Sequence, residues 1–144
     1  MGANDTDIAR LQRLQNWAAK LIFLASKKDH ATPFLQQLHW LPVKQRVLFK
    51  VLLYVFKCLA DSAPVYLTSS LELYKPVPGG LRSATDTTRL KVPKINSRTF
   101  KSAADKAFCF NAPRLWNRLP ISVRTSISIP AFKKGLKTHL FAQV

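Results

Sequence analysis

The chain has 144 residues, 47% of them apolar and 10% aromatic, a composition that excludes a disordered tail and suits one folded domain. Its 23 Lys and Arg against 7 Asp and Glu leave a net charge of +16, which excludes cationic partners and points to a polyanion, nucleic acid first, with an anionic membrane surface as the alternative. Residues 1–72 hold 9 basic and 5 acidic groups (+4), whereas residues 73–144 hold 14 and 2 (+12), so most of the excess lies in the second half.

Asp5, Thr6 and Asp7 can cap a helix. Ile8, Leu11, Leu14, Ala18, Leu21, Ile22 and Ala25 follow at helical spacing, predicting an amphipathic helix over 7–26 with Arg10, Arg13, Lys20 and Lys27 on its solvated side. Thr32 before Pro33 opens a short helix over 33–38. Pro42 opens a third, about 42–60, apolar on nearly every face apart from Lys44, Arg46, Lys50 and Lys57, and therefore expected to be central; a buried strand is the alternative. Its run VLLYVFKCLA is broken by Lys57 and is too short to span a bilayer.

A short helix is predicted from Pro64 to about Leu71, and KPVPGG then breaks regular structure. LRSATDTT reads as a surface loop with Asp86 as a turn residue. RLKVPKI alternates apolar and basic residues, as in an edge strand that Pro93 keeps out of a sheet interior. Over 100–110 the residues support either a helix or a strand returning to pair with LKV, which would close a β-hairpin over 89–110. In NAPRLWNRLP, Asn111 and Pro113 are expected to open a helix that Pro120 ends, with Trp116 plugging the core and Arg114 and Arg118 on an exposed strip. Ser128 and Pro130 open a last helix, about 130–141, with Phe132, Leu136 and Leu140 inward. The fold class is mainly α, bundle-like, with a helical region 1–74 and a basic extension 75–144 packed with it.

Chemistry is sparse. The seven carboxylates fall mostly in caps and loops with no adjacent pair, so no catalytic residues are assigned. Cys58 and Cys109 have no partners at metal-ligand spacing, so neither a metal site, a cofactor nor a disulfide framework is expected. Asp5 and Asp7 interrupt any apolar leader, placing the chain in the cytosol or nucleus rather than outside the cell. The candidate nucleic-acid-binding residues are Arg114 with Arg118 and Lys133 with Lys137, each an i, i+4 pair, together with Lys134, Lys91 and Lys94.

Taken in order, LQRLQNWAAKLIF, KKDHATPFLQQLHWLPVKQRVLFKVLLYVFKCL, LRSATDTTRLKVPK, SAADKAFCFNAPRLWNRLPISVRTS and FKKGLKTHLF carry a family resemblance. They resemble the C-terminal segment of the reverse-transcriptase polyprotein of LINE-type (non-LTR) retrotransposons, in the clade of the chicken-repeat and Jockey-like elements. The resemblance covers about Leu11 to Phe141. It implies a thumb-like helical region and the basic extension that follow a polymerase palm. The Tyr/Phe-Ala-Asp-Asp motif of that palm is absent here, so no catalytic residue is carried over. The implied role is to hold RNA or DNA, without sequence preference, beside a palm that is itself an expected partner. A structural module packing on the palm, or a relic without a selected function, is the alternative. MGAND stands where the family's chain would continue from the palm, implying a piece cut from a longer reading frame.

Overall fold

The computed structural model describes residues 4–75, 86–94 and 107–143. The protein is mainly helical. In chain order the described helices are α1 (Asp5–Ile22), α2 (Thr32–Gln37), α3 (Val43–Leu59), α4 (Val65–Thr68), α5 (Phe108–Asn117), α6 (Ile121–Arg124) and α7 (Ile129–Phe141). They belong to two compact units, one built on Val51–Lys133 and the other on Ala3–Lys50 with Lys134–Val144.

In the first unit the core forms around three aromatic rings. Phe56 of α3 stacks on Phe132 of α7 with centroids 4.3 Å apart, and Trp116 of α5 tilts against both at 6.5 and 5.8 Å. Trp116 is 1% exposed and, as expected, plugs the core. Its indole Nε1–H still finds an acceptor, donating to the Thr88 carbonyl at 2.8 Å. Leu52, Val55, Cys58, Leu90, Ala112, Leu119 and Val123 complete this core.

The segment 86–91 is fastened to this core by polar groups. Arg124 is buried, and its guanidinium forks onto Asp86, with Nη2 to Oδ2 at 2.7 Å and Nη1 to Oδ1 at 3.1 Å. Its Nε donates to the Leu119 carbonyl at 3.1 Å and its Nη1 also to the Thr88 hydroxyl at 2.8 Å. Further along, the Asn117 amide accepts from Leu90 N–H at 2.9 Å and donates to Leu90 C=O at 2.8 Å, standing in for a neighbouring strand. On the other side Leu90 pairs antiparallel with Leu73, through Tyr74 N–H to Arg89 C=O and Lys91 N–H to Glu72 C=O. Asp86 is therefore the counter-ion of a buried arginine as well as the turn residue its polar surroundings suggested, its Oδ1 also accepting the Thr88 N–H at 3.2 Å.

Three expectations are corrected near α5. The helix begins at Phe108, so Pro113 lies inside it. A proline here forfeits the bond to the Cys109 carbonyl, yet Ala112, Pro113 and Trp116 are all buried on one face, and that packing outweighs the loss. The same helix removes residues 108–110 from the hairpin considered over 89–110; residues 95–106 lie outside those described. α5 ends at Asn117 with Arg118 as its C-cap, three residues before the Pro120 expected to end it.

In the second unit α1 packs on α2, where Phe23 stacks on Phe34 at 5.2 Å. Leu35, Leu41, Leu136, Leu140 and Ala19 are its buried apolar residues. The face of α1 expected to be inward is not: Leu11, Leu14, Leu21 and Ile22 are each more than half exposed. Gln12 and Gln15 turn inward in their place, bonded to the backbone around the start of α3.

α1 also stops four residues short of the expected end. Leu24 turns into the left-handed region (φ 50), with Ala25 N–H bonded to Lys20 C=O and Leu24 N–H to Leu21 C=O. α2 ends in the same way at His39 (φ 53) and α3 at Asp61 (φ 48). This paired-bond termination normally uses glycine. None of the three is glycine, so the usual sequence sign of a helix end is missing.

Asp86 generates the first prediction. The Arg124 fork, then the Thr88 hydroxyl and Arg89, hold its carboxyl well below the usual carboxylate range against the opposing effect of burial. A depressed folded pKa stabilises above the unfolded value of about 3.9 and loses that contribution as pH falls through the folded one. Denaturant unfolding should show stability declining below about pH 4, and Asp86→Ala should flatten that decline. At neutral pH the substitution should cost about 3 kcal/mol, because it strands a buried guanidinium. Separately, Leu24→Gly should raise stability by about 1 kcal/mol by relieving a Cβ in the left-handed region, measured by the same method.

Candidate nucleic-acid interface

The second unit supplies the candidate site, starting from α1. Val43 opens α3 with an N–H that lacks a partner within its own helix. The Gln12 side chain reaches across from α1 and accepts it at 2.7 Å, while Gln15 Nε2 donates to the Leu41 carbonyl at 3.0 Å. Gln12 Nε2 in turn donates to Asn16 Oδ1 at 2.8 Å. These side chains cap α3 from a neighbouring helix and hold the LHWLP corner in place. They also explain why α1 presents its polar edge inward: the unpartnered backbone groups at the corner need hydrogen bonds, which leucines cannot supply.

Beside this corner lies a hollow of about 650 Å³. Its lining is Leu11 and Gln15 of α1, His39, Trp40 and Leu41 of the corner, Val43, Arg46, Phe49 and Lys50 of α3, and Lys137 of α7. Arg46 and Lys50 are an exposed i, i+4 pair, and Lys137 lies with its ammonium 5.9 Å from the centre of the Phe141 ring. Three cations thus border an apolar floor with a partly exposed indole at its edge, and no acidic side chain lines the hollow among the described residues. Such an arrangement can neutralise backbone phosphates at the rim and offer Trp40 as a stacking surface for a base.

The expected site residues are distributed differently. Lys137 lines the hollow; Lys134 is exposed on the same helix in the same unit, and Lys133, also exposed, falls in the first unit. Arg114 is half-buried on α5, Arg118 is exposed at its C-terminus, and Lys94 is exposed in the segment after Leu90. Lys91 is exposed but engaged, its ammonium 2.6 Å from Glu72, whose carboxyl pKa is lowered chiefly by that hydrogen bond. Arg46, Lys50 and Trp40 were not singled out from the sequence. The available signal was an i, i+4 basic pair six residues after an aromatic corner.

Other chemistry is not favoured. Cys58 is buried and burial pushes its thiol up, the wrong direction for a nucleophile. Among the described residues no helix is long and apolar enough to cross a membrane. No family model, curated protein or solved structure matches this chain.

Gln12→Ala should leave the first N–H of α3 without its acceptor and cost about 1 kcal/mol in denaturant unfolding, the loss typical of a helix cap. A change below a few tenths of a kcal/mol would show that solvent replaces the glutamine.

Proposed function

We propose that this chain is a non-catalytic nucleic-acid-binding segment derived from a LINE-type retrotransposon reverse transcriptase, corresponding to the region that follows the palm. The observation that carries the binding role is the hollow bordered by Arg46, Lys50 and Lys137 with Trp40 at its edge. Charge supports it: the second unit's residues 4–50 and 134–143 hold 10 basic and 3 acidic side chains. The retrotransposon origin rests on the ordered sequence resemblance. The non-catalytic reading is supported by the carboxylates with engaged partners, since Asp86 neutralises Arg124 and Glu72 pairs with Lys91. Binding of this kind tracks the sugar–phosphate backbone and stacks bases without reading their edges, so little sequence preference is expected.

The test is a fluorescence titration of the full chain with single-stranded RNA, single-stranded DNA and an RNA–DNA hybrid over a range of salt. Affinity should fall steeply as salt rises, and Arg46→Ala with Lys50→Ala and Lys137→Ala should reduce the log–log slope for a single strand by about 2, from three lost phosphate contacts. Trp40→Ala should weaken single-strand binding by roughly 1–3 kcal/mol. Absence of binding at low salt would overturn the proposal. Unchanged binding by the triple variant would remove the hollow as the site.

A further inference from the structure

The exposed face of α1 has an order of its own. Leu14, Trp17 and Leu21 are 68%, 68% and 72% exposed, and none of them lines the hollow beside the LHWLP corner. Their spacing of three and then four residues is that of a heptad seam, with Arg10 one step before and the exposed Leu24 one step after. At 100° per residue the three side chains fall within about 60° of one another, and the exposed Leu11, Ala18 and Ile22 beside them widen the apolar face to about 140°. One edge of the three-residue stripe is basic, with Arg13 and Lys20 in the positions that flank a seam, and the other is Leu11 and Ala18. A coiled-coil partner meets such a stripe with a helix whose flanking positions oppose the charged edge.

We propose that this face of α1 is a docking seam for an amphipathic helix of a partner protein, apolar along its own seam and acidic on the edge facing Arg13 and Lys20. The intramolecular contacts of α1 run through Gln12, Gln15, the buried Ala19, Lys20, whose ammonium donates to the Lys27 carbonyl at 2.8 Å, and the C-cap Phe23, and they leave the stripe open to solvent. Charge complementarity selects the occupant. A second copy would bring together two chains of +16 and supply no acid to the basic edge. A lipid surface favours an apolar face bordered by cations on both sides, whereas this face is basic on one edge only. The inference is independent of the proposed nucleic-acid role.

The probe is a fluorescein-labelled four-heptad peptide with leucine along its seam and glutamate at all flanking positions, which repel one another and keep it from pairing with itself. Anisotropy with the full chain should show saturable binding. A scrambled peptide of the same composition, and a version with lysine at the flanking positions, should each bind at least about tenfold more weakly. Leu14→Ser with Trp17→Ser keeps the net charge and alters only exposed side chains; it should weaken binding at least about tenfold while circular dichroism and thermal midpoint stay unchanged. Equal binding of the glutamate and lysine peptides, or of the scrambled one, would overturn the proposal. So would a concentration-dependent dimer in sedimentation that the double substitution abolishes, which assigns the face to a second copy. Binding to phosphatidylserine vesicles lost in the same variant, without peptide binding, would assign it to lipid and equally overturn it.

Discussion

The Arg124–Asp86 fork is the interaction on which the first unit depends. A guanidinium as buried as this one is unfavourable without a counter-ion and without acceptors for its remaining N–H groups. Asp86, the Thr88 hydroxyl and the Leu119 carbonyl together supply them. Meeting that requirement draws residues 86–88 against α6. Thr88 then receives the indole N–H of Trp116, and Leu90 lies where Asn117 can bond both of its backbone groups. The aromatic cluster of Phe56, Trp116 and Phe132 provides the apolar driving force, but it is non-directional. The polar clamp decides which segment covers it and in which register.

The second unit solves a different problem with the same kind of device. Its LHWLP corner exposes backbone groups at the start of α3, and α1 is oriented by the glutamines that satisfy them. Two consequences follow from that one orientation. The hollow forms where Leu11 and Gln15 meet the corner and the basic flank of α3, and the leucine–tryptophan stripe is left facing out. Candidate anion site and candidate protein seam are therefore adjoining faces of a single helix, set by its hydrogen bonds rather than by the spacing of its leucines.

Much of the helical framework was legible in sequence. Phe132, Leu136 and Leu140 at four-residue spacing placed α7 and its buried face, and the prolines at 33 and 42 marked the starts of α2 and α3. The burial of Trp116 followed from its position among Leu115 and Leu119. The end of α1 was less legible, because Leu24 occupies a conformation that usually announces itself by glycine. The candidate site was legible only in part. Lys137 emerged from its helix, but Arg46 and Lys50 read as ordinary interruptions of an apolar run, since nothing local says that Trp40 and α7 lie beside them.

What the sequence alone determined, then, is the helical class, the strong positive charge and most helix positions, because periodicity, proline and charge are local properties that survive any arrangement of neighbours. Only the tertiary structure decided that Asp86 belongs to Arg124, that α1 turns its glutamines inward, and that three cations share one hollow. Each of these joins residues tens of positions apart, through hydrogen bonds or shared surface whose value depends on burial. Burial is a property of the packed chain and has no signature in a window of residues.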